Sequence, residues 1–268
     1  MEAEKNTGDR KNLVNITTYI NELMSQTTVV QYFKNTLNKP VELEMIIPQI
    51  SDINLTRFEM IKNNKKVASI LLEKEKAKEK YTDKISSGDS AFISYNTESE
   101  TKVCLGNIPA GEEIELKTFF FGHIVNKDLS YQAKFPVIFP QFSLEDSKTG
   151  EDIDYEYEKL TIKGKIYIHT NSKLTRLVIN GSNNFDKIEK KYGEDTKTAE
   201  IDIFKNNFSV KDIPGIILFR TEKINDDILY YQYDSKKNKS YYMLQKTLFI
   251  PELNNEIKSE VDENEKIN

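Results

Sequence analysis

The chain has 268 residues, of which 38% are hydrophobic and 30% charged, with 14 Tyr, 14 Phe, no Trp and a formal net charge of −5. That apolar share can fill a sizeable core, which excludes a disordered chain, and no stretch approaches the roughly 18 consecutive apolar residues of a membrane-spanning helix. An acidic balance argues against nucleic acid as a partner.

Residues 1–12 are polar, with no apolar run behind them, so no secretory signal peptide is expected. Strand-like runs follow at 13–21 and 27–34. Val41, Leu43, Met45 and Ile47 then alternate with Glu42 and Glu44, which predicts a strand with one buried face, and Pro48 limits its further pairing. Phe58 and Met60 alternate with Arg57 and Glu59; the turn Asn63-Asn64 and the run from Val67 to Leu71 complete a hairpin pattern. Residues 73–85, EKEKAKEKYTDKI, break the strand pattern with strong helix formers. Ala77, Tyr81 and Ile85 form a narrow apolar stripe on that helix, and Gly88 supplies a C-terminal stop. The small Ala77 is expected to let the helix approach a sheet closely.

Strand-like runs resume at 91–95 and 101–105, and Pro109-Ala110-Gly111 signals a turn before Ile114, Leu116, Thr118 and Phe120. Phe119, Phe120 and Phe121 in one strand must place aromatic rings on both faces, which makes Phe119 and Phe121 a candidate interaction surface. The acidic stretch 143–158 reads as a linker or long loop. Alternating runs from Leu160 to Ile250, separated by turn residues, read as a second set of strands. The acidic segment 252–268 reads as a flexible tail.

Catalytic signatures are scarce. Cys104 is the sole cysteine, so no internal disulfide forms and a reducing compartment is expected. His123 and His169 are the two histidines and lie far apart in sequence, so no metal site is expected. A Cys104/His123 nucleophile pair is outweighed by the reading of Cys104 as a small strand residue. Tyr230, Tyr231, Tyr233, Tyr241 and Tyr242 read as sheet-packing residues, not as a base-stacking platform. The excess of 34 Lys over 4 Arg reads as the codon composition of an AT-rich genome. No catalytic residue, cofactor site or metal site is assigned, and the chain is expected not to be an enzyme.

The order of several runs resembles the VIT domain (vault protein inter-alpha-trypsin domain) family. They are the strand Val29-Val30-Gln31-Tyr32-Phe33-Lys34-Asn35; the strand Pro40-Val41-Glu42-Leu43-Glu44-Met45-Ile46-Ile47-Pro48; Phe58-Glu59-Met60; a helix carrying Glu73, Lys74, Ala77 and Tyr81; and the turn Gly106-Asn107-Ile108-Pro109-Ala110-Gly111-Glu112. Phe135-Pro136-Val137 with Pro140, and Thr247-Leu248-Phe249-Ile250-Pro251, resemble the family's exit strand and the last strand before a von Willebrand factor A domain. The helix is unusually rich in lysine, Ile50 stands where the family commonly has a second proline, and no Asp-x-Ser-x-Ser adhesion motif occurs.

This resemblance implies a mainly β fold: a VIT-type β-sandwich over 1–142 with one crossing α-helix, the linker 143–158, a smaller antiparallel β region over 159–251 and the tail 252–268. It implies a non-catalytic protein-interaction or scaffold module, the N-terminal region of a cytoplasmic assembly protein. The partner would be a protein, such as a von Willebrand A domain in cis or in trans. The alternatives are an accessory domain of an ADP-ribosyltransferase-like enzyme and an extracellular matrix protein like the inter-alpha-trypsin heavy chains.

Overall fold

The computed structural model describes residues 13–49, 51–63, 65–69, 72–89, 91–97, 100–127, 130–135, 141–146, 152–153, 160–180, 185–208, 215–222 and 227–246. They are mainly β with one α-helix. Alternation of buried and outward residues builds the first strands. In β1 (Leu13–Ile20) the core takes Val14, Ile16 and Ile20, and in β2 (Met24–Lys34) it takes Val29 and Phe33. The Asn21 carboxamide accepts the N–H groups of Leu23 and Met24, both at 2.9 Å, and turns the chain between the two strands.

Then come β3 (Val41–Pro48), β4 (Ile53–Lys62), β5 (Lys65–Ala68), the helix α1 (Lys74–Ser86), β6 (Ala91–Asn96), β7 (Glu100–Ile108) and β8 (Glu113–His123). The next strands are β9 (Val125–Lys127), β10 (Ser130–Phe135), β11 (Gln141–Asp146), β12 (Asp152–Ile153), β13 (Leu160–His169), β14 (Leu174–Asn180), β15 (Lys187–Tyr192), β16 (Thr198–Phe208) and β17 (Gly215–Thr221). A hairpin of β18 (Asp227–Asp234) and β19 (Lys239–Lys246) closes the described chain.

An eight-stranded sheet has the order β15-β16-β13-β1-β2-β8-β4-β5, a five-stranded sheet the order β12-β11-β3-β7-β6, and a four-stranded sheet the order β14-β17-β10-β9. One hydrophobic core draws on all three: Phe33, Phe58 and Leu116 from the first, Leu43, Met45 and Leu105 from the second, Tyr131 and Phe219 from the third. The Tyr131 and Phe219 rings stack with centroids 5.1 Å apart. The chain divides into two compact units, Met1–Glu222 and Lys223–Asn268.

The division expected near residues 143–158 is not a division between sheets. β13 runs parallel to β1, with Leu13 opposite Thr161 and Ile20 opposite Ile168. β17 pairs with β10, and β11 pairs with β3. The second β region is therefore not separate, while every pair within it, β13–β16, β15–β16, β14–β17 and β18–β19, is antiparallel. Its inward residues, Ile162 and Ile166 on β13, continue the face formed by Val14 and Ile16 on β1. Alternation tells which side of a strand is buried but not which strand lies beside it. The stretch 143–158 itself contributes the end of β11 and β12; its remaining residues, 1–12, 136–140 and 247–268 lie outside the described residues.

The helix begins and ends where its sequence says it should. Glu73 is the N-cap in extended conformation, with no capping bond from its side chain. At the other end Gly88, at φ +78°, donates its N–H to the Ile85 carbonyl at 2.9 Å, and Asp89 donates to Lys84 at 3.0 Å. This pair of bonds satisfies carbonyls that the helix leaves open, and the left-handed turn favours glycine.

Candidate interaction site

Three family-motif residues, Gly106, Asn107 and Tyr81, meet where α1 lies on β7, and the turn residues beside them complete a frame. In the β3–β7 pair Val41 lies opposite Ile108 and Leu43 opposite Leu105, so Gly106 and Asn107 together face Glu42 in a β-bulge. A Cβ at Gly106 would stand 2.8 Å from the Tyr81 hydroxyl and 3.1 Å from Ile85 Cγ1. The glycine is thus what lets the helix lie against β7. Asn107, in the left-handed region at φ +54°, donates from its carboxamide to the Ile85 carbonyl at 2.8 Å. The Gly-Asn pair therefore docks the helix by shape at one residue and by a hydrogen bond at the next.

Ala77 lines a groove of about 680 Å³ between α1, β5 and β6, with Tyr81, Val67 and Phe92 on its walls and Lys62, Lys65, Lys80 and Lys84 at its rim. The stripe at 77, 81 and 85 locates the inward face of the helix; it does not tell where along that face contact is tight.

The turn is tied by Asn35, a buried residue at the end of β2. Its amide donates to the carbonyls of Lys39, Ile108 and Pro109 at 2.8, 2.9 and 3.0 Å. Gly111, at φ +74°, donates its N–H to the Asn35 carbonyl at 2.8 Å. Glu112 accepts from Asn63 at 3.1 Å and pairs with Lys62 at 3.7 Å, joining the turn to the β4–β5 hairpin. Phe58 is a core residue, edge-on to Phe92 at 5.1 Å. Glu73 pairs with Lys76 at the exposed helix start, beside Lys74, the first helical residue. Pro40 is half-buried ahead of β3, which ends at Pro48.

Phe119 and Phe121 lie apart from this frame. Phe120 enters the core, which turns its two neighbours to the outward face of the eight-stranded sheet, where both are half-buried. The Arg57 guanidinium sits 4.1 Å from the centre of the Phe119 ring, and the His123 ring is edge-on to Phe121 at 5.3 Å. Register carries the face onward: Phe121 stands opposite Gln26, Gln26 opposite Tyr19, and Tyr19 beside Tyr167. The two tyrosine rings stack at 5.0 Å and 14°, with Tyr19 57% exposed. Tyr19 and Tyr167 are missed by sequence reasoning because they meet only through the β1–β13 pair.

Cys104 faces Glu44, whose carboxylate lies 3.8 Å from its sulfur. Burial first, then the Glu44 charge, push its pKa up to about 11, so the thiol stays protonated and is a poor nucleophile at neutral pH. Among the described residues no group of three or more His, Cys, Asp or Glu side chains could hold a metal ion, and no helix is long and apolar enough to cross a membrane.

The motif frame coincides with a family model. Residues 12–120 match the Vault protein inter-alpha-trypsin domain, VIT. The chain carries a VIT domain. Two von Willebrand factor A domain-containing proteins of Dictyostelium discoideum are similar to it. One is 28% identical over 163 residues, 58% of this chain and 18% of that protein. The other is 32% identical over 103 residues, 38% of this chain and 11% of that protein. Protein mono-ADP-ribosyltransferase PARP4 of Mus musculus is 24% identical over 147 residues, 53% of this chain and 7% of that protein. The chain thus spans less than a fifth of the length of these relatives. Among solved structures, the full-length major pilin SpaD of Corynebacterium diphtheriae aligns over 86% of this chain and 60% of that one, at 10% identity and a TM-score of 0.31, too low to bear on the fold. Gly106, Asn107, Pro109, Gly111, Glu112 and Phe119 thus lie inside the matched residues, and β8, which carries Phe121, runs just past their end.

Proposed function

We propose that this VIT-bearing chain is a non-catalytic protein-interaction module of an intracellular assembly protein, and that its partner is a von Willebrand factor A domain. The observation that carries the reading is the outward face of the eight-stranded sheet, where Phe119, Phe121, Tyr19 and Tyr167 put aromatic surface outside the core. Aromatic rings of this kind anchor protein interfaces, because they offer large contact area at small cost in conformational entropy. The Dictyostelium relatives, named for their A domains, support the choice of partner. Support for a non-catalytic role comes from the protonated state of Cys104 and from motif residues that are occupied in holding the helix and the turn.

The test is a calorimetric titration with the A domain of one of those relatives. The wild-type chain binds saturably, and Phe119→Ser with Phe121→Ser weakens binding at least about tenfold, the loss of two interface anchors. Equal binding by wild type and the double variant would remove the aromatic face from the reading; no binding by either would remove the A domain.

A further inference from the structure

The outward face of the four-stranded sheet carries an arrangement that packing does not explain. β14 and β17 place Arg176 directly opposite Arg220. Like charges facing each other across a strand pair destabilise it. In a chain with 34 Lys and 4 Arg, half of the arginines stand in this one pair.

The backbone is shaped to produce it. The register shifts between Leu174 and Arg176, so Thr175 is an extra residue, a β-bulge. Leu174 and Leu177 are both buried, while Thr175 and Arg176 both point outward. Strict alternation from Leu174 would have turned Arg176 inward; the bulge re-aims it toward solvent beside Arg220. Arg220 Nε donates to Ser130 Oγ at 2.7 Å, which orients that guanidinium from the neighbouring strand.

Both arginines line a cavity of about 450 Å³. Its floor is apolar, with Val178 and Leu218, and its polar walls are Gln132 and Asn180. No acidic residue is among the lining, and among the described residues no carboxylate pairs with Arg176. Two planar forks of donors beside each other match the oxygens of a phosphate, and a phosphate monoester carries enough negative charge at neutral pH to neutralise both. The cavity holds more than an inorganic ion, and its apolar floor suits an organic body next to the charged group.

We propose that Arg176 and Arg220 form a binding site for a phosphate monoester attached to an apolar group. The ester comes either from a small molecule or from a phosphorylated side chain of a protein, since the recognised chemistry is the same.

The test follows the arginine Nε–H NMR signals of the full chain during titration with phenyl phosphate, inorganic phosphate and benzoate. The site predicts saturable shifts at both arginines, with phenyl phosphate binding tighter than the other two. Arg176→Gln and Arg220→Gln each weaken phenyl phosphate at least tenfold. Arg176→Lys, which keeps the charge but loses the fork, also weakens it. Arg176→Gln melts at or above the wild-type temperature, because it relieves the like-charge repulsion, so its lost binding is not lost folding. A phosphotyrosine peptide that binds at least tenfold tighter than phenyl phosphate assigns the ester to a protein side chain; equal affinity assigns it to a small molecule. Shifts that never saturate, Gln variants that bind like wild type, or an Arg176→Gln variant that melts well below it would overturn the proposal.

Discussion

Gly106→Ala tests the account of helix docking. The new Cβ would stand 2.8 Å from the Tyr81 hydroxyl and 3.1 Å from Ile85 Cγ1, and it would overlap Ile85 Cδ1. A glycine in a strand ordinarily costs roughly 0.5–1 kcal/mol relative to alanine, so relief of that cost favours the variant. Overpacking typically costs about 1–3 kcal/mol and opposes it. The difference between these two ranges runs from about 0 to about 2.5 kcal/mol, and the net expectation is a loss of roughly 1 kcal/mol. Ile85→Val removes Cδ1 and by itself should cost about 0.5–1.5 kcal/mol. In the Gly106→Ala background the same change removes the overlapping atom and should cost almost nothing. Urea melts followed by circular dichroism on the four proteins of this cycle give the coupling, expected at about 1 kcal/mol for residues in contact. Additivity within about 0.3 kcal/mol, the level of distant sites, would show that the helix does not rest on Gly106.

Asn107→Gly keeps the left-handed backbone and loses the bond to Ile85, so denaturant melts should show a cost of about 1 kcal/mol; Asn107→Ala adds backbone strain and should cost more. Asn35→Ala abandons three carbonyls in and beside the turn, and should cost at least about 2 kcal/mol by the same melts. For Cys104, the raised pKa predicts that iodoacetamide at pH 8 modifies the native chain on the order of 10²-fold more slowly than a free cysteine peptide, with the rate climbing toward pH 11. A rate at pH 8 equal to the peptide's would mean that the thiol is neither buried nor held by Glu44. Ala77→Leu adds its bulk at a residue that lines the groove, so its melt should lie within about 1 kcal/mol of wild type, below the usual cost of overpacking.

The sequence discloses strands and faces better than neighbours. The alternation at Val41–Ile47 and Ile114–Phe120 states which side is buried, and the structure agrees at each of Val41, Leu43, Met45, Ile114, Leu116 and Phe120. The helix is legible because EKEKAKEKYTDKI suits no strand, and Gly88 stops it by a backbone conformation that glycine accepts best. The parallel pairing of β1 with β13 is not legible. One partner, Leu13–Ile20, lies at the start of the VIT match and the other, Leu160–His169, beyond its end, and neither carries a turn that would join them. That one pairing hides Tyr167 from Tyr19 and makes the region after residue 159 look separate. The arginine pair is hidden for a related reason: a one-residue bulge at Thr175 decides which way Arg176 points, and alternation alone gives the opposite answer. At Gly106-Asn107 the motif is visible as a string, while its physical purpose emerges only when Ile85 and Tyr81 are seen against it.

Salt dependence of A-domain binding tests the central claim most directly, because the chain offers two surfaces of different physics. The face around Phe119, Phe121, Tyr19 and Tyr167 is aromatic, whereas the groove beside α1 is rimmed by Lys62, Lys65, Lys80 and Lys84. Exposed charge pairs are screened as the Debye length falls from about 10 Å at 0.1 M to about 3 Å at 1 M salt, while apolar contacts are not weakened in this way. A calorimetric titration of the A domain into the chain at 0.1 M and 1 M salt should give dissociation constants within about threefold of each other if the aromatic face is the docking surface. A loss of affinity of two orders of magnitude at the higher salt would assign binding to the lysine-rimmed groove and contradict the account.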